Sequence, residues 1–187
     1  MGPVGAGKTC AISAISDIEV VSTEAMPTDG TASLKSTTTV AMDVGILRLD
    51  HRTRIRLYGA PGQERFSFMA DILAKQSRGI VLLINDRRPD PVGDMHHHLN
   101  KMTEVSVGRH IPVVVGITHL DSHACGNLKK YQYSLRRHSP CNPGPIPILS
   151  IDARKSADVK ALLIALVSIM EICKRFPMKT RSSLHTQ

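Results

Sequence analysis

The chain opens on Met1–Thr9, MGPVGAGKT, in which Gly2, Gly7, Lys8 and Thr9 satisfy the pattern G-x-x-x-x-G-K-[ST]. In such a loop the glycines let backbone N–H groups turn inward on phosphate oxygens, and the helix that follows aims its positive N-terminus at them. Gly2, Gly5, Ala6 and Gly7 would form the cradle, Lys8 would reach the β- and γ-phosphates, and the Thr9 hydroxyl would ligate Mg²⁺. The loop belongs between a buried strand and a helix. The helix is legible in TCAISAISDI (9–18), where Ile12 and Ile15 stand at helical spacing and Cys10 is expected to pack inside. A strand is not, because Met1 alone precedes the loop.

Beyond the first helix, VVSTEAMPTDGTASLKSTTT (20–39) reads as a long loop rich in Ser, Thr, Gly and Pro, and loops of that length in a compact domain are usually functional. VAMDVGILRL (40–49) and RIRLYG (54–59) read as two strands joined by a turn around Asp50–Thr53. APGQERF (60–66) follows, then a helical FMADILAKQS (68–77). GIVLLIND (79–86) and IPVVVGITHLD (111–121) are continuous apolar runs, the mark of strands buried on both faces. Between and after them lie helical PVGDMHHHLNKMTEV (91–105), basic amphipathic LKKYQYSLRRH (128–138), a strand in IPILSIDAR (146–154) and a closing helix over 156–175. Ser156 is placed to cap that helix, with Asp158 in its first turn. Residues 176–187 lack periodicity and read as a flexible basic tail behind one domain spanning 1–175.

Alternation of strand and helix predicts an α/β fold, a mostly parallel sheet with helices on both faces. Ligands of such sheets bind at the carboxyl ends of the strands, where the motifs fall. The 187 residues suffice for one core. Aromatics make up only 3% with no Trp, so that core rests on Ile, Leu, Val, Met and Ala. The formal charge of +8 implies a general affinity for anions. Without aromatic stacking residues or a dense basic stripe, it does not indicate a dedicated nucleic-acid site. Cys10, Cys125, Cys141 and Cys173 lack C-x-x-C spacing, which argues against zinc and disulfides and for a reduced, cytoplasmic protein. ALLIALVSIM (161–170) is too short to span a bilayer, and no lipidation motif is present. His96, His97 and His98 point about 100° apart on a helix and cannot converge on one ion; they read as a solvated face.

GPVGAGKT, TVAMDV, YGAPGQERF, THLD and DAR stand in the order of the five guanine-nucleotide motifs, and in this the chain resembles the bacterial Ras-like small GTPases of the MglA-like and conservon type. The resemblance implies a Ras-like three-layer sandwich that binds GTP and GDP with Mg²⁺. It implies slow intrinsic hydrolysis and a switch in signalling or polarity, stimulated by a partner, in that family a roadblock-fold protein. Carried over residue by residue, Thr39 joins Thr9 on Mg²⁺, Gly62 senses the γ-phosphate and Gln63 orients the attacking water. Thr118, His119 and Asp121 meet the guanine, Asp121 accepting from its N1–H and 2-amino group, while the Ala153 N–H meets O6.

The pattern is departed from in two places. The acidic residue expected three positions before Gly62 is Gly59, with Asp43 the nearest acidic candidate. The first strand, central in such a sheet, is wanting, which would strip backbone partners from two neighbours; an N-terminally short chain is the expectation. Two other functions stay open: a P-loop ATPase or nucleotide kinase, and a scaffold that has lost its nucleotide.

Overall fold

The computed structural model describes residues 1–24, 41–63, 66–106, 110–120, 127–137 and 145–176. The loop over Met1–Gly7 leads into α1 (Lys8–Ser13), followed by β1 (Val21–Glu24), β2 (Ala41–Arg48) and β3 (Arg54–Gly59). Next come α2 (Ser67–Gln76), β4 (Ile80–Asn85), α3 (Pro91–Val105), β5 (Val113–Thr118), α4 (Asn127–Arg137), β6 (Ile148–Ser150) and α5 (Ser156–Arg175).

The α/β class holds, but among the described residues the strands form two three-stranded sheets rather than one. The order β4-β5-β6 is parallel, and β1-β2-β3 is an antiparallel meander. The β2–β3 turn is built by Asp50, whose carboxylate accepts from the N–H groups of Arg52 and Thr53 at 2.7 Å each. β1 lies where the sequence predicts only loop. Its four residues have no apolar alternation, and their pairing with Ala41–Val44 is what makes them a strand.

The parallel sheet is dry on both faces, as continuous apolar runs require. On one face Leu82, Ile84, Val115 and Ile117 pack with Met95 and Leu99 of α3 and Tyr131 of α4. On the other, Leu83 and Val114 pack with Ala11 and Ile15 at α1 and with Val159, Leu162 and Leu166 of α5. Each such side chain taken fully out of water contributes about 1.5–3 kcal/mol, so this sheet is the stable frame. Both β5 and β4 end at its upper edge, on Thr118 and Asn85.

β3 and β4 do not pair with each other. Their facing edges line one cleft, Ile55, Leu57 and Tyr58 on one wall and Ile80, Val81 and Leu83 on the other. At its head stands Met1. Its amino group donates to Val81 O at 2.7 Å, and Leu83 N donates to its carbonyl at 2.9 Å. These are the two bonds of a single parallel rung. Where the sequence leaves a strand wanting ahead of the loop, this one rung is what stands beside β4.

One local expectation changes, while Asp158 does lie in the first turn of α5. Ser156 opens α5 as its first helical residue instead of capping it, and the cap position is Lys155. Asp158 also accepts the Asp152 N–H at 2.8 Å, fixing the turn before the helix. The expected helix over 91–105 is found, with Pro91 in its first turn and Asp90 accepting from Gly93 N at 2.8 Å. Among the described residues no helix is long and apolar enough to cross a membrane.

Candidate functional site

The loop turns on Gly2, Gly5 and Gly7, with φ of 137°, 76° and 85°, a region that side-chain-bearing residues rarely adopt. At Gly2 space is decisive as well: an added Cβ would lie 2.0 Å from the Leu83 carbonyl oxygen. Ala6 is fully buried beneath the loop. Strand ends pin the loop from below. Asn85 Nδ2 donates to Gly5 O at 3.1 Å, and the buried Thr118 Oγ1 lies 3.2 Å from the carbonyl oxygens of both Ala6 and Ile84. Asn85 does not stand out in the sequence, because it lies 80 residues from its partner.

Lys8 lies over the loop, its Nζ donating to Gly2 O at 2.9 Å and Pro3 O at 2.7 Å. Burial pushes its pKa down to about 8, against the opposing pull of Asp43. Thr9 Oγ1 donates to Asp43 Oδ2 at 2.5 Å, bringing β2 onto the start of α1. Both oxygens are hard donors of the kind Mg²⁺ takes, so the residues present fit that ion. Among the described residues no group of three or more His, Cys, Asp or Glu could hold a metal. A cation here would therefore complete its shell with phosphate oxygens and water.

Gly62 is folded against the same loop. A Cβ there would come within 2.7 Å of both Val4 N and Lys8 Nζ. Gln63 follows it and, with Gly62, Val4 and His98, lines a pocket between the loop, α2 and α3. The structure thus brings Gly62 to Lys8 and Gln63 to the pocket beside the loop.

At the opposite flank Ala153 packs against the loop: a Cβ on Gly7 would touch its Cβ at 3.0 Å. The turn is braced by Arg154, which clamps Asp152 through Nε and Nη2 at 2.9 and 2.8 Å. That clamp holds the Asp152 carboxyl well below the usual carboxylate range. His119 stands exposed beyond Thr118 with φ of 59°, its Nδ1 3.0 Å from Thr118 Oγ1. Thr118, His119 and Ala153 are therefore grouped beside the loop, while Asp121 and Thr39 lie outside the described residues.

Two side readings are corrected. Cys10 is exposed, not packed within α1. The three histidines are not one solvated face: His96 Nε2 bonds Ser134 Oγ at 2.6 Å, and His98 is partly buried beside Gln63.

Comparison with known proteins gives one family. A model described as conserved hypothetical ATP binding protein matches residues 1–141, from the loop through α4. No curated protein matches the chain. The family match overturns the likeness to Ras-like GTPases. The first of the motifs that suggested it, the Gly-Lys-Thr loop, is shared by P-loop sites for either nucleotide. Departures from the guanine-nucleotide pattern fall on both sides of the site, at Gly59 as well as at His119 and Asp152–Arg154. The roadblock-fold partner rested on that resemblance alone.

Proposed function

Because the chain belongs to the family of conserved hypothetical ATP binding proteins, we propose that it binds ATP with Mg²⁺ on the Gly2–Thr9 loop and hydrolyses it to ADP and phosphate. The observation that carries this reading is the loop itself. Three left-handed glycines, pinned by Asn85 and Thr118, present the backbone beside the Lys8 ammonium and the Thr9 hydroxyl.

The triphosphate would replace the Gly2 and Pro3 carbonyls as the partners of Lys8. Each charge-assisted hydrogen bond so formed contributes about 1.5–3 kcal/mol. The Gly62 N–H would serve the γ-phosphate, a role that the closeness of Gly62 to Lys8 Nζ supports. Gln63 orients a water for in-line attack on the γ-phosphorus. The new P–O bond forms as the bond to the β,γ-bridging oxygen breaks, and the water's proton leaves with the phosphate or to solvent. Mg²⁺, when bound with the nucleotide, neutralises charge growing on the β- and γ-oxygens. Thr9 would supply a hydroxyl ligand to it, and the sequence pattern offers Thr39 as a second. The base would rest against Thr118, His119 and Ala153, with Asp121 the further contact that the sequence pattern offers.

The test is binding of a fluorescent ATP analogue with Mg²⁺, competed separately by ATP and GTP, followed by phosphate release. ATP is expected to displace the analogue. Lys8→Ala should weaken binding at least tenfold, as the loss of about 1.4 kcal/mol or more requires. Gln63→Ala should cut turnover while sparing binding. Displacement by GTP and not ATP would replace this reading with a guanine-specific one of identical phosphate chemistry. No binding by folded protein would leave a scaffold.

A further inference from the structure

Asp43 and Gly59 are direct cross-strand partners on β2 and β3. A Cβ added to Gly59 would lie 2.9 Å from Ile12 Cδ1, 3.0 Å from Asp43 Cβ and 3.1 Å from Asp43 Oδ2. Contacts that short require these neighbours to give way before a second side chain fits. The two positions share one space, and Asp43 fills it. No positive φ marks Gly59, so its lack of a side chain answers to that space and not to backbone strain. The carboxylate that fills it reaches Thr9, the residue whose hydroxyl the loop pattern assigns to a cation.

We propose that Asp43 supplies, from β2, the carboxylate that holds the divalent cation of the nucleotide complex beside Thr9, in the space a side chain on Gly59 would otherwise take. This rests on the ATP-binding reading above. Asp43 is a cation-positioning residue: its Oδ2 meets the Thr9 hydroxyl, and its negative charge lies near enough to Lys8 to act on its ammonium. Removing such a carboxylate from a metal site typically costs 10–100-fold in metal affinity. The placement also predicts that the carboxylate can be moved between strands, provided only one position carries it.

The experiment uses the full chain and reads the dissociation rate of a fluorescent ATP analogue as Mg²⁺ is titrated, with EDTA as baseline. In the unaltered protein Mg²⁺ should slow dissociation. Asp43→Asn keeps the shape and removes the charge; the Mg²⁺ concentration giving half the effect should rise at least about tenfold. Binding in EDTA should persist, since the loop N–H groups and Lys8, which contact the phosphates, remain in place. The double variant Asp43→Gly with Gly59→Asp should bring the Mg²⁺ response back toward that of the unaltered protein. An Asp43→Asn protein with an unchanged Mg²⁺ response overturns the proposal. So does loss of its EDTA binding, which would make Asp43 structural. A double variant that binds in EDTA yet recovers no response overturns the shared space. Nucleotide binding without any Mg²⁺ response in the unaltered protein overturns this inference alone, whereas no nucleotide binding at all overturns the ATP reading with it.

Discussion

At the scale of single residues, the pocket beside the loop holds a group whose charge state matters. His98 packs there with Met1, Gly62 and Gln63. Burial first, then the charges of His97 and the amino terminus, push its pKa down to about 4, with Asp94 pulling the other way. In the unfolded chain a histidine titrates near 6.5. As pH falls the unfolded state therefore takes the proton first. The stability this residue contributes is whole above about pH 6.5 and is lost as pH falls toward 4. The thermal midpoint should drop between pH 7 and pH 4.5, and His98→Gln should shrink that drop. An equal drop in both proteins would refute the assignment. Much of the site is legible at this scale, because Lys8 and Thr9 follow from local spacing. The supports are not: Thr118 secures Ala6 from 112 residues away, and Asp43 reaches Thr9 across 34. Only folding makes these neighbours.

Elements differ in how they are held. Every residue of β5 is buried, and its sheet lies between α3 and α4 on one side and α1 and α5 on the other. β3 alternates, half its residues facing outward, and its meander shares no ladder with the parallel sheet. Hydrogen exchange read by peptide mass should find Val113–Thr118 and Ile80–Asn85 slowest, and Ala41–Gly59 opening at a lower free energy. Equal protection in both sheets would contradict this. The same contrast explains what the sequence reveals of the elements. β4 and β5 are readable because burial on both faces writes an unbroken apolar run. β1 is not, because Val21–Glu24 owe their conformation to β2. The frame of α5 is readable from its apolar periodicity, but its start is set by the Asp152–Asp158 bond, which spacing does not disclose.

Across the whole molecule the separation of the two sheets is the governing feature, and a single mostly parallel sheet was the natural expectation from alternating elements. Short motifs and apolar runs specify strands one at a time; they do not say which edges meet. Among the described residues only Met1 pairs with β4 on its cleft side, and β3 faces the same space. Two edges open to one cleft should accept an added strand. Joining six residues of alternating Val and Thr ahead of Met1 should raise the thermal midpoint, whereas six of Gly and Ser should not. Equal midpoints would show that the cleft cannot take a strand. The same geometry governs how the protein can be handled. Met1 N donates to Val81 O at 2.7 Å, so the backbone at the head of the loop is engaged with β4. An affinity handle or dye attached there must thread the cleft and lean on the very residues that seat the phosphate loop. Surface immobilisation through Met1 would therefore report on a molecule whose phosphate loop is disturbed.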